Sequence, residues 1–92
     1  MKKLDPTSIR AEQATTPEWK RRRGAIERTF VFSDFPPAVK FVNKVARLAE
    51  KAQHHPDIDI RWNKVRLSLT THDQGGLTGK DFSLARLIDK LK

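Results

Sequence analysis

Residues 33–56 read SDFPPAVKFVNKVARLAEKAQHHP, a helix with both of its ends marked. Ser33 or Asp34 supplies an N-cap oxygen, and Pro36 or Pro37 suits the first turn, where proline's fixed φ is helical and its missing N–H is not needed. Ala38, Phe41, Val42, Val45, Leu48, Ala49 and Ala52 then recur at spacings of three and four, which gathers them on one face. Lys40, Asn43, Lys44, Arg47 and Lys51 fall mostly on the opposite, wet face. Pro56 disfavours the α conformation at His55, so the pattern predicts a helix over about 36–53 that stops near Gln53 or His54.

Outward from this helix the period changes from 3.6 to 2. Upstream, Ile26, Arg28, Phe30 and Phe32 share one parity, Glu27, Thr29 and Val31 the other, and Gly24 offers a turn; this predicts a hairpin of about 19–23 and 25–32. Arg28 is the exception on the apolar parity and calls for an ion pair or a strand end. Downstream, Asp57–Trp62 and Lys64–Thr71 read as strands, the second alternating Val65, Leu67 and Leu69 against Arg66, Ser68 and Thr70. Gly75-Gly76 breaks the chain, and Thr78 with Asp81 forms a capping box before a helix whose stripe is Leu84, Leu87, Ile88 and Leu91. Residues 1–18 carry little apolar pattern and are expected to be a weakly structured segment, with at best a short helix near 7–14; residues 19–92 form the domain proper. The fold class that satisfies this order is α+β: a four-stranded antiparallel sheet with two long helices, and a short or absent N-terminal one, packed on one face.

The whole chain has 92 residues, 37% of them hydrophobic, and no cysteine. That size bounds it to one core, makes oligomerisation a natural source of further burial, and leaves neither disulfides nor thiolate metal sites. No stretch approaches the roughly 20 apolar residues of a membrane span, and Leu4-Asp5-Pro6 is no signal-peptide core, so a cytoplasmic location is expected. The net charge of +8 raises the question of a polyanion partner, but the run Lys20-Arg21-Arg22-Arg23 supplies half of it. Such a run reads as a solvated strand that resists edge pairing, or as a surface for an acidic protein partner. No aromatic residues interleave with it as in a stacking platform, which disfavours nucleic acid.

All three histidines, His54, His55 and His72, lie in the same short stretch, with Glu50, Asp57, Asp73 and Asp81 near them in sequence. A helix C-terminus and the far end of a returning strand can meet in space. Adjacent histidines in an extended segment diverge, and no His-x-His or i, i+4 pair occurs, so a metal site is disfavoured. Helix-end histidines that merely interact with the dipole are one reading. General acid–base chemistry is the other, since imidazole titrates near neutral pH and neighbouring carboxylates can fix its tautomer. Nucleophilic catalysis has no support: Ser68 and Ser83 have no adjacent base by sequence.

The spelling itself carries more. Glu50-Lys51-Ala52-Gln53-His54-His55-Pro56, then Trp62, Thr71-His72 and Gly75-Gly76-Leu77-Thr78 with Asp81 resemble the pterin-4a-carbinolamine dehydratase family. Trp19, Ile26, Arg28, Phe30, Phe32, Phe35, Ala38 and Val45-Ala46 extend the resemblance, which covers about residues 19–91. It implies a four-stranded antiparallel sheet backed by helices, assembly into homodimers or homotetramers, and dehydration of 4a-hydroxytetrahydropterin during tetrahydropterin recycling, with no metal or other cofactor. By motif position, His54, His55, His72 and Asp81 are the expected catalytic set. Glu50, Pro56, Trp62 and Thr71 are expected to frame the pterin substrate, with core packing the competing role for Trp62 and the turn itself the role of Gly75-Gly76. Which histidine is acid and which base stays open.

Two departures accompany the resemblance. In place of the family's longer leucine-bearing first helix only 18 weakly patterned residues precede Trp19, so that helix is expected to be short or absent, and the position before the double histidine, often acidic, is Gln53. With Arg21, Arg22 and Arg23 in the first strand, these resemble the branch of small bacterial members that assist Rubisco assembly beside carboxysomes. The alternative implied is therefore a catalytically silent assembly factor or chaperone, carboxysome-associated, that binds its partner through those arginines.

Overall fold

The computed structural model describes residues 2–92. Seven elements follow in order: α1 (Pro6–Gln13), β1 (Lys20–Arg22), β2 (Ala25–Val31), α2 (Phe35–Ala52), β3 (Asp57–Arg61), β4 (Lys64–Leu69) and, after a 3-10 turn at His72–Gln74, α3 (Gly79–Asp89). The strands form one antiparallel sheet in the order β1-β2-β4-β3, so both edges are three- to five-residue strands and the long pairing is central. The α+β class with one four-stranded antiparallel sheet is the architecture expected from the alternating and helical periods.

The register explains which side is wet. Phe30 stands opposite Val65, and Val65 opposite Ile60, on one face, while Thr29 stands opposite Arg66, and Arg66 opposite Asp59, on the other. Ile26, Phe30, Val65, Leu67 and Leu69 form a single buried cluster with Phe41 and Val45 of α2, Phe82 and Ile88 of α3 and Ile9 of α1. Helices thus cover one face only, and the opposite face, with Lys20, Arg22, Thr29 and Arg66, meets solvent. The first helix is present and is short, and Ile9 seats it on the core at 4% exposure. Asp5 caps α1 by accepting the Ser8 N–H, a bond that holds its carboxyl below the ordinary value of 3.8.

Local chemistry sets the remaining boundaries. Asp34 Oδ1 accepts the Phe35 N–H at 2.8 Å, and α2 ends at Gln53 in a left-handed conformation with φ 53°. Arg28, the exception on the apolar parity of β2, finds the ion pair it needs: its guanidinium donates to Asp89 Oδ1 at 2.7 Å and lies 4.3 Å from the Phe30 ring centroid. Trp19 Nε1 donates to the same oxygen at 2.8 Å, so one carboxylate at the end of α3 satisfies a buried indole and an inward-facing cation together.

Candidate active site

Two elements converge on His54. The residue leaves α2 directly after the left-handed Gln53, which turns its side chain back toward α3, and the ring is 11% exposed. There its Nε2 lies 2.5 Å from Oδ1 of Asp81, whose side chain is fully buried. The second oxygen, Oδ2, accepts the Thr71 hydroxyl at 2.9 Å and the Thr78 backbone N–H at 2.9 Å. Thr78 Oγ1 in turn lies 2.9 Å from Thr71 Oγ1 and accepts the Lys80 N–H at 3.3 Å. Each hydroxyl has one proton. Thr71 gives its proton to the carboxylate, so Thr78 gives its own to Thr71. An ionised Asp81 only accepts, so the His54 proton that faces it sits on Nε2, and Nδ1 is the nitrogen left for chemistry.

His55 has a different partner. Its Nε2 lies 2.5 Å from Glu50 Oε2, one turn back on α2, with the two side chains 60% and 71% exposed. An exposed pair of this kind adds little stability but restricts the ring's orientation. His72 begins the 3-10 turn, is exposed, and makes no side-chain hydrogen bond among the described residues. The turn is closed by paired backbone bonds between Thr71 and Gly76, and Gly75 takes φ 74°, a conformation for which glycine is the unstrained choice. His72 thus follows directly after Thr71, whose hydroxyl donates to the Asp81 carboxylate. Among the described residues no group of three or more His, Cys, Asp or Glu side chains is arranged to hold a metal ion.

Not every expected residue joins this group. Pro56 is half-buried just beyond the double histidine. Trp62 occupies the β3–β4 turn with φ 54° and donates to Asp34 Oδ1 at 3.4 Å, at the N-terminal end of α2. The 18 residues of α2 separate that end from His54 by about 27 Å. At 65% exposure Trp62 is no core residue either, which corrects the packing role considered for it. Asp57 and Asp73 are exposed and bond to none of the histidines. Arg21, Arg22 and Arg23 are all exposed; Arg22 comes within 4.0 Å of Glu27. The Thr78 hydroxyl is the member of the network that reading the chain did not assign a part at the site, although Thr78-x-x-Asp81 had already marked the two as a pair.

A two-layer α+β domain with an imidazole anchored on a buried carboxylate, a second imidazole on a surface carboxylate and a third on a neighbouring turn belongs to the class of pterin dehydratase-like folds. The comparisons with known proteins agree. The family described as "Pterin 4 alpha carbinolamine dehydratase" matches residues 2–91, and this chain belongs to that family. It is 54% identical over 91 residues to a Chloroflexus aurantiacus protein and 55% identical over 91 residues to one from Acidobacterium capsulatum. The first alignment covers 99% of this chain and 98% of the relative, the second 99% of each, and both relatives carry the name "putative pterin-4-alpha-carbinolamine dehydratase". Among solved structures it is similar to a transcriptional coactivator/pterin dehydratase from Brucella melitensis, with 31% identity, TM-score 0.92 and 97% of each chain covered. A pterin dehydratase-like protein identified as a RuBisCO assembly factor in the alpha-carboxysome shares the fold, at 20% identity and TM-score 0.65 over 79% of this chain and 84% of that one.

Proposed function

We propose that the chain is a 4a-hydroxytetrahydropterin dehydratase that works by histidine general acid–base catalysis, without a metal or other cofactor, in the cytoplasm. The observation that carries this reading is the His54–Asp81 pair. A buried carboxylate with both oxygens occupied fixes one imidazole's tautomer and presents Nδ1, while His55 follows His54 directly and His72 follows Thr71, a donor to the same carboxylate. Family membership and the near-complete overlap with the relatives support it. The reaction itself asks for this equipment. The 4a-hydroxyl leaves as water after protonation by an acid, and a base removes the N5 proton as the quinonoid dihydropterin forms, so the two transfers balance and imidazoles can divide them. Asp81 orients His54 and Glu50 orients His55.

The direct test is the rate of dehydration of 4a-hydroxytetrahydropterin in a stopped-flow assay. The expected result is a rate well above the uncatalysed one, with His54→Ala, His55→Ala and His72→Ala each lowering it by about 10²-fold or more. No acceleration at micromolar protein sinks the reading. In that event the exposed Arg21, Arg22 and Arg23 favour a second one, an assembly factor for an acidic protein partner such as Rubisco. Charge reversal at the three arginines should then abolish capture of purified Rubisco while the fold persists.

A further inference from the structure

A second cleft lies on the helix side of the sheet, where the N-terminal segment and α1 meet the β1–β2 turn and the loop after His72. Its volume is about 360 Å³, and none of the histidines lines it. Leu4, Ile9 and Leu77 contribute apolar walls, and Lys3, Arg21 and Arg23 contribute cations. No acidic residue lines it, and none of the ion pairs among the described residues engages those three cations.

The strand period explains how a continuous basic run comes to serve this cleft. Lys20 pairs with Glu27 and Arg22 with Ala25 on the open face, whereas Arg21 pairs with Ile26, a core residue of the helix side. Arg23 follows in the two-residue β1–β2 turn with φ 57°, the left-handed conformation that such hairpin turns use, which carries its side chain beyond the strand toward the cleft. The opposite wall packs closely on Lys3: a Cβ on Gly76 would stand 3.1 Å from Lys3 Cδ, so the lysine stem lies directly against this backbone.

Uncompensated cations around an apolar floor select an anion with an apolar body. Guanidinium forks match the oxygens of a phosphate, and three cations favour a dianion over a single carboxylate. The volume lies in the range of small-molecule sites, about 300–1,000 Å³. We propose that this cleft binds a small phosphate monoester whose organic part is apolar, with the phosphate on Lys3, Arg21 and Arg23 and the organic part on Leu4, Ile9 and Leu77. The site is independent of the dehydratase reading. Its wall is nevertheless bonded to the histidine network, because Gly76 exchanges two backbone hydrogen bonds with Thr71.

Titration of the isotope-labelled full chain with phenyl phosphate tests this, alongside inorganic phosphate, phenol and benzoate at matched ionic strength. Saturable shifts are expected at the amides of Leu4, Gly24, Gly76 and Leu77, with phenyl phosphate binding at least about tenfold tighter than any of the other three. The Arg21→Gln, Arg23→Gln double variant should weaken binding at least about tenfold while the Trp19 indole signal stays in place. Should that variant fail to fold, Lys3→Gln must weaken binding alone. The proposal is overturned by absence of saturation up to about 10 mM, by equal affinity for inorganic phosphate or benzoate, or by binding that the folded variants leave unchanged.

Discussion

Asp81 serves three donors at once, and its neighbours give the residue scale its sharpest test. Thr71 stood in the sequence as a position beside the substrate, yet its hydroxyl is used by the Asp81 carboxylate and the Thr78 hydroxyl. A positioning role predicts that Thr71→Val lowers kcat by about tenfold with KM little changed, and that Thr71→Ser restores most of the rate. A raised KM with unchanged kcat would show instead that Thr71 meets the substrate. Asp81 was legible as the acidic member of a capping box and, by resemblance, as a site residue. What local reading could not show is that one of its oxygens caps the helix while the other holds an imidazole 27 residues away. Capping depends on neighbours three residues apart, whereas the histidine contact exists only once α2 and α3 have packed.

At the scale of elements the boundaries follow the signals that predicted them. Asp34 caps α2, Thr78 and Asp81 box the start of α3, and the period-2 stretches became β2 and β4 within two residues of their expected ends. The end of α2 carries a cost that nothing in the periodicity announced, since Gln53 takes the left-handed conformation that glycine usually fills. Gln53→Gly is therefore expected to stabilise the fold by about 0.5–1 kcal/mol, the left-handed penalty less the entropy glycine adds to the unfolded chain. A urea midpoint that falls would contradict this. Core packing was one of the two roles expected of Trp62 at the family's aromatic position, and its exposure excludes that one. The two-residue turn between β3 and β4 instead holds it outside the pleat, where neither face of the sheet can bury it.

For the whole molecule the open question is what meets the sheet's edge. Ile58 and Ile60 point to the helix side of β3 but remain 40% and 39% exposed, because the helices pack over β2 and β4 and stop short of this edge. A second copy is the expected cover. Sedimentation should therefore give a mass of at least two chains, and Ile60→Lys should shift it to one; a single-chain mass for the unaltered protein at high concentration would refute self-association.

By itself the sequence determined the elements, their caps and the family, because periodicity, proline and capping chemistry act between residues a few positions apart, and the His54-His55-Pro56 spelling is a local string. Only the tertiary structure decided that His54 meets Asp81, 27 residues away, and carried Trp62 to the far end of α2. It also split the arginine run between the open sheet face and the cleft beside α1. These outcomes depend on strand register and helix docking, which fix distances between residues far apart in the chain and leave no mark at any single position.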